Sequence, residues 1–455
     1  MSLGEQQIEL INRIKKYYLD LKSSNIDVAS SGLCYFSSWV GESPGLAKLK
    51  LWNKGLLLLP KFIIIILKNI LAIAAHTNYI EFNNKNFSNN YHTLVITWSQ
   101  KRDFKEDGSF HDRYFKENSK DLPNSYWFLI SMDGYTPKNL KNNIKILKRK
   151  EESIKYNFFN LFKILINLFF YHKFSPRKIF HHLSFYSYFA KLISLKIKNE
   201  LKKNNYKIVL LPYEAQPFQH STFLEIKKIN QKILTIGYLS SLLTPFPSDF
   251  IYRSGAPDML YVHGKSQIDI LQSRLNWPKE KLFLIPSLRY RISARSLSNK
   301  IFLPLIIMHK KKLIKEFENL LINVPSNNFA NLEVINHPSC EESKRHLSMK
   351  AEIKKIMKNY KNKFSDIYTN SNVSIFFGVT AAIFEALEKG SKIIHISVDP
   401  LFETHSEKIW PNLKVKQLNE NTFSYELINL NQYINFGDNK KILYQILKNT
   451  TGLQI

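Results

Sequence analysis

The chain is poor in cysteine. Its 455 residues include two, Cys34 and Cys340, and no Cys-x-x-Cys pair. That excludes a disulfide framework and a cysteine zinc site, and it fits a reducing compartment. Long uncharged apolar runs are also missing. "GLLLLPKFIIIILKNILAIAA", Gly55 to Ala75, is the most apolar stretch, but Pro60, Lys61 and Lys68 interrupt it. No uncharged run reaches the ~18 residues of a spanning helix. The opening residues, MSLGEQQIELINRIKKYY, lack the apolar segment and cleavage pattern of a secretory leader, so a cytoplasmic protein is expected. No Gly-x-Gly-x-x-Gly follows a strand-like run, and no Walker A run occurs, which leaves those two nucleotide sites without support. Acidic residues are scarce: 37 Asp and Glu face 65 Lys and Arg, a net charge of +28. The abundance of Lys, Asn and Ile is also what AT-rich coding writes, so part of this charge carries no functional meaning. The remainder fits a polyanionic partner. Without zinc-finger spacing, an RNP-like run or a Gly-rich RNA loop, nucleic acid is not expected as that partner.

What is present is enough apolar residue for a large core. Hydrophobic residues make up 44% and aromatics 13%, and the length calls for two domains. A helix is expected over 5–25, with Ile8, Leu10, Ile11, Ile14 and Tyr18 on one side. The 55–75 stretch reads either as a buried helix or as a helix lying in a membrane interface. Strands are expected at 93–100 and 126–134, with a polar loop, "DGSFHDRYF", at 107–115. Between 137 and 206 the pattern reads as helical, basic and aromatic, suited to a membrane surface or to packing on a sheet. Strands at 207–214, 232–240, 258–264 and 281–290 alternate with helices at 218–230 and 265–276. A polar linker over 291–300 precedes a second alternation: strands at 301–308, 331–338, 365–369, 373–378 and 392–397, helices at 310–323, 341–362 and 380–389, and a final helix at 438–449. Such β-α-β order predicts parallel sheets covered on both faces, an α/β chain.

Ligands of open α/β sheets gather at the carboxyl ends of strands. That rule selects the 107–115 loop, Glu214, the 240–250 loop, Gly264, Arg289, His337–Pro338 and Gly378–Thr380. In "SIFFGVTAAIFEALEKG", Gly378 permits an unusual dihedral, and Thr380 can cap a helix whose first turn would face an anion. Glu385 lies off the apolar stripe, where a carboxylate can accept ribose hydroxyls. His337 at a strand exit can donate to phosphate, and Pro338 holds the loop extended. Glu214, ending an apolar strand, is the first candidate for a general base, its pKa expected to rise with partial burial. Asp112 is its rival, and a salt bridge between Asp112 and Arg113, or with another group, is the plainer reading. Asp107, His111 and Arg113 form the polar cluster assigned to an acceptor. Arg289 can balance a donor phosphate or an acceptor carboxylate.

His-Pro at a strand exit, a small-residue strand-to-helix turn and then "FEALEKG" resemble the donor half of GT-B glycosyltransferases of bacterial surface carbohydrate, including the sialic acid and Kdo transferases. The resemblance covers about residues 300–400. It implies two Rossmann-like domains facing across a cleft, an acceptor domain over 1–295, a donor domain over 301–435 and a tail, 436–455, crossing back. It implies that His337 and Thr380 hold the phosphate of a nucleotide-sugar, a CMP-sugar foremost, and that Glu385 meets the ribose. Where the family has a double Ser or Ser-Thr, this chain has Gly378-Val379-Thr380. "YEAQPF", "DGSFHDRYF" and "LRY" are similar to surface carbohydrate biosynthesis proteins of the O-antigen type. The implied partners are a nucleotide-sugar donor and a lipid-linked or growing glycan acceptor, with basic aromatic helices between 137 and 200 docking on the inner membrane face. No Asp-x-Asp occurs, so no metal and no other cofactor is expected. A nucleotide-sugar 2-epimerase of the same shape and a non-catalytic assembly protein are the competing readings.

Overall fold

The computed structural model describes residues 1–23, 55–75, 79–83, 91–122, 124–150, 183–202, 204–291, 297–307, 309–323, 332–361 and 373–437, with Ala29, 36–37, 41–42, 47–48, Leu51, Phe159, Phe162, Ile166 and Leu447. The linker centre, the 365–369 strand and nearly all of the 438–449 helix lie outside the described residues.

The chain is α/β, built on two parallel-dominated sheets. The first contains β1 (Tyr79–Asn83), β2 (Thr93–Ser99), β3 (Ser125–Ser131), β4 (Ile144–Arg149), β5 (Ile208–Pro212), β6 (Leu234–Tyr238), β7 (Met259–Val262) and β8 (Leu282–Leu284). Their order is β8-β7-β6-β5-β2-β3-β4-β1, all parallel except β1 at its edge. Central β2 and β3 are buried at every position, and each reads as a nearly unbroken apolar run. That is what a strand covered on both faces requires.

The second sheet contains β9 (Lys300–Phe302), β10 (Glu333–Ile335), β11 (Val373–Phe377), β12 (Lys392–Ile396), β13 (Leu413–Asn419) and β14 (Thr422–Leu427). Its order is β10-β9-β11-β12-β14-β13, the last two forming an antiparallel hairpin on the sheet's edge. The alternation rule missed this hairpin, because strand pairs joined by a tight turn carry no helix between them.

The helices are α1 (Leu3–Ser23), α2 (Leu59–Ala75), α3 (Phe185–Leu201), α4 (Pro217–Ile229), α5 (Lys265–Leu275), α6 (Lys310–Asn323), α7 (Lys344–Lys361), α8 (Ala382–Glu388) and α9 (Pro400–Glu403). The expectation of continuous helix over 137–206 is corrected at 144–149. There "IKILKR" is strand β4, because Lys145 is neutralised between Glu81 of β1 (2.6 Å) and Glu200 of α3 (2.7 Å). A buried cation so paired leaves Ile144, Ile146 and Leu147 to pack in the sheet. Helix α3 turns Phe185, Phe189, Ile193 and Ile197 into the core, so these residues do not form an outward aromatic face.

One apolar cluster runs from the first sheet into the second half, joining Leu10 and Ile14 of α1 to Phe384, Trp410 and Tyr433. Gln7 of α1 donates from Nε2 to the carbonyls of Leu401 (3.0 Å) and Thr404 (2.8 Å). A strap over 431–437 returns to the first sheet. Ser266 N donates to Gln432 O (2.9 Å), Asn435 N to His263 O (2.5 Å) and Ser287 N to Asn435 O (2.7 Å). Gly264 is a glycine because a Cβ there would lie 2.0 Å from the Tyr433 carbonyl oxygen. The strap is held from the other side by Glu388, whose carboxylate accepts the N–H groups of Asn431, Gln432, Tyr433 and Ile434.

Candidate functional site

Strand β5 ends at Pro212, and Glu214 follows on a tight turn into α4. Gln219 clamps that turn: its Oε1 accepts the N–H groups of Glu214 and Gln216 (3.0 Å each), and its Nε2 donates to Pro212 O (2.6 Å). Ala215 is forced to φ +53°. A non-glycine residue in this region costs about 1 kcal/mol or more, and such strain concentrates at functional turns. The half-buried Glu214 carboxylate accepts one hydrogen bond from Gln216 Nε2 (2.8 Å).

The β2 exit loop departs from expectation at several residues. Asp112 is wholly buried. Its Oδ2 accepts from Thr97 Oγ1 (2.6 Å), and its Oδ1 from the N–H groups of Tyr114 (2.8 Å) and Phe115 (2.6 Å). Desolvation pushes its pKa up to about 6 against these bonds. Asp112 is therefore a sealed fastener of the short hairpin in which His111–Asp112 pairs antiparallel with Glu117–Asn118, and is corrected as a catalytic candidate. Arg113 does not bridge to it. It pairs with Asp103 (3.3 Å) and donates to Gln100 (2.9 Å). Asp107 makes a local turn with Ser109, accepting from its N–H (2.9 Å) and its hydroxyl (2.6 Å). It lines a polar pocket of about 990 Å³ with Lys138, Asn142 and Asn143, which precede β4 and so lie toward the amino ends of the strands. The expected acceptor cluster is thus split. His111 faces its hairpin partner Asn118 (3.1 Å).

The hairpin's tip meets the β8 exit. The Phe115 ring packs 5.8 Å from that of Tyr238, whose hydroxyl accepts the N–H of Leu288 (3.0 Å). Ser287 Oγ accepts the next two N–H groups, of Arg289 (3.1 Å) and Tyr290 (2.9 Å). This fixes Arg289 with its guanidinium 5.4 Å from the Tyr290 ring and open to solvent. The pKa of Arg289 is raised, first by Tyr290, then by Glu214, Tyr114 and Glu385 against desolvation. Tyr114 is pushed up by burial and then by the charge of Glu214. Lys116, at φ +56°, is lowered by desolvation and then by the like charges of Arg289 and Arg291.

From the second sheet, His337 reaches the same neighbourhood. Desolvation, then Arg289, then His346 lower its pKa. Pro338 opens a short 3₁₀ turn, Pro338–Cys340. His346 bonds the Pro304 carbonyl (2.8 Å) and Ser343 Oγ (3.0 Å), tying this turn to the β9 exit. Gly378 adopts φ +61°, a Cβ there would sit 3.4 Å from Pro304, and its carbonyl accepts from His395 Nε2 (2.8 Å). Thr380 Oγ1 accepts the Ala382 N–H (3.3 Å), so the hydroxyl caps its own turn, and α8 begins two residues later than expected, with seven residues. Glu385 is engaged by Lys389 (2.9 Å) through one oxygen. Arg289 therefore lies within electrostatic reach of Glu214 and Tyr114 from the first half and of His337 and Glu385 from the second, with Glu214, Arg289 and His337 following strands and Glu385 on α8. Sequence reasoning missed Tyr114, Lys116, Tyr290, His346 and His395. Tyr290, beside Arg289 in "LRY", and Tyr114, beside Arg113 in "DGSFHDRYF", carried a signal. Among the described residues no group of His, Cys, Asp or Glu is arranged to hold a metal ion.

No protein-family model matches the chain, and no curated protein matches it. Among solved structures, it is similar to the N-terminal domain of a trehalose-6-phosphate phosphatase from Candida albicans, at 8% identity, over 68% of this chain and 82% of that one, with a TM-score of 0.32. A likeness this loose carries no argument.

Proposed function

We propose that the chain is a metal-independent GT-B glycosyltransferase that moves a sugar from a nucleotide-sugar, a CMP-sugar foremost, to a growing or lipid-linked surface glycan such as O-antigen or capsule. What supports the reading is one observation: Arg289, at the β8 exit, lies within electrostatic reach of Glu214 from the first sheet and of Glu385 and His337 from the second. A donor phosphate between the sheets meets Arg289 and the imidazole of His337, beside the Gly378–Thr380 turn. Glu214 takes the proton of an acceptor hydroxyl as its oxygen attacks the anomeric carbon. The bond to phosphate breaks, its electron pair stays on the phosphate oxygen, and Arg289 stabilises that charge. The free oxygen of Glu385 accepts from the ribose.

The test is thermal stabilisation of the full chain by CMP, UDP, GDP and ADP, alongside His337→Ala and Arg289→Ala. A ligand at 100 times its dissociation constant adds about 2.7 kcal/mol. Selective stabilisation by one nucleotide, absent from both variants, is the expected result. No stabilisation by any of the four overturns the donor site and favours a non-catalytic assembly protein.

A further inference from the structure

Helix α2 buries Ile65, Asn69, Ile73 and Ala74 and leaves an unusual face to solvent. Ile63 is 50% exposed, Ile64 51%, Leu67 54% and Leu71 56%, and Leu57 just before the helix is 93% exposed. Ile63, Leu67 and Leu71 recur every fourth residue, so they share one stripe, with Pro60 and Ile64 alongside. Apolar residues exposed singly need no explanation, but a contiguous stripe of large aliphatics does. Lys61 and Lys68, seven residues apart and both exposed, run along one rim of that stripe. The anchor of the inner face is polar and satisfied: Asn69 Nδ2 donates to Ile65 O (2.9 Å), and Asn69 Oδ1 accepts the Phe185 N–H (3.1 Å) that begins α3. The helix is thus fixed to the body with its apolar face outward.

We infer that this face of α2 docks the protein on a bilayer containing anionic phospholipid, the helix lying flat with its aliphatic stripe among the acyl chains. Three observations select this occupant. No helix among the described residues is long and apolar enough to cross a membrane, so α2 has the proportions of an interfacial helix. Lysine is depleted from the cores of protein interfaces, whereas at a bilayer its stem follows the apolar surface and its ammonium reaches the headgroups. The chain carries a net charge of +28, complementary to an anionic leaflet. Phe159, Phe162 and Ile166, exposed by 66%, 64% and 38% at helical spacing, offer further apolar surface. The inference stands apart from the glycosyl-transfer reading and needs no catalysis.

The experiment is vesicle flotation of the full chain with phosphatidylcholine alone and with phosphatidylcholine mixed with phosphatidylglycerol. Three proteins are compared: the parent, an Ile63→Ser, Leu67→Ser, Leu71→Ser variant, and a Lys61→Glu, Lys68→Glu variant. The parent is expected to float with the anionic vesicles. The serine variant should lose at least about tenfold in partitioning to both vesicles. The glutamate variant should lose only the preference for phosphatidylglycerol. All substituted side chains are exposed, so an unchanged melting temperature shows that the fold is kept. The inference is overturned if the parent floats with neither vesicle or if the serine variant floats like the parent. A parent that is dimeric in solution, vesicle-indifferent and made monomeric by the serine changes also overturns it, in favour of a second copy of the chain.

Discussion

Glu388 is the residue whose removal tests the architecture most directly. It is 6% exposed and accepts four successive backbone N–H groups, those of Gln432 at 3.0 Å, Tyr433 at 2.6 Å, Ile434 at 3.3 Å and Asn431. A hydrogen bond to a charged acceptor is worth about 1.5–3 kcal/mol net, and an orphaned buried donor costs about 1–3 kcal/mol. Four bonds to one carboxylate are not additive, and burial raises the Glu388 pKa against them, so part of the gain is consumed by desolvation. Glu388→Ala should therefore cost about 3–5 kcal/mol. Glu388→Gln should cost only about 1 kcal/mol, because its Oε1 still accepts from three of the four amides. With an unfolding entropy near 2.1 cal/mol/K per residue, a chain of 455 residues loses about 1 °C per kcal/mol. The alanine variant should melt about 3–5 °C lower, and hydrogen exchange should show the amides of 431–434 losing protection. An alanine variant with the parental melting temperature and unchanged exchange over 431–434 would refute the reasoning that Glu388 fastens the strap.

Asp112→Asn tests the corrected role of that carboxylate. Its folded pKa is about 6 against an ordinary 3.8. A raised pKa means that its stabilising contribution is complete below pH ~4 and is lost as pH rises through ~6. The asparagine variant should be more stable than the parent by about 1–3 kcal/mol at pH 8, with no gain at pH 4, read from urea unfolding at both. Equal stability at the two pH values would sink this account. Ala215→Gly should raise stability by about 0.5–1 kcal/mol by relieving φ +53°, and a loss would show that the turn is not strained. If Gln219 positions Glu214 by clamping its turn, Gln219→Ala should weaken turnover more than nucleotide binding. Equal losses in both would assign it a merely structural part.

Much of the fold was legible because burial writes itself into composition. β2 and β3 read as strands because every position faces protein, and α5 and α6 as helices because their buried residues recur at helical spacing. The elements that were missed depend on distant partners. β4 carries a buried Lys145 that is accommodated by Glu81 and Glu200, 64 and 55 residues away along the chain. Its short "IKI" alternation is a strand signal that the surrounding Lys-rich, helix-like pattern masked. The carboxyl-end rule selected Glu214, Arg289 and His337, and the fold brings Glu214 and His337 within electrostatic reach of Arg289, because the rule is a statement about topology and the topology was readable. The same rule could not say that Asp112 is sealed, since one loop offers both buried and exposed positions.

The motif "FEALEKG" shows where sequence reasoning runs out. It holds two glutamates three residues apart, Glu385 and Glu388, and the helical stripe singled out the first as lying off the apolar face, where it can accept ribose hydroxyls. In the fold Glu385 is tied to Lys389, while Glu388 turns inward to hold the strap that joins the two halves. Three residues on a helix is a turn of about 300°, so the two carboxylates face neighbouring but different surroundings. Which of them meets solvent depends on what covers the helix, here a segment more than 40 residues further along the chain. The covering strap also approaches Gly264 and the backbone around Ser287, next to Arg289. The position of Arg289 thus depends on a carboxylate that makes no contact with it, and, on the proposed donor site, loosening the strap should disturb nucleotide binding before it unfolds the chain.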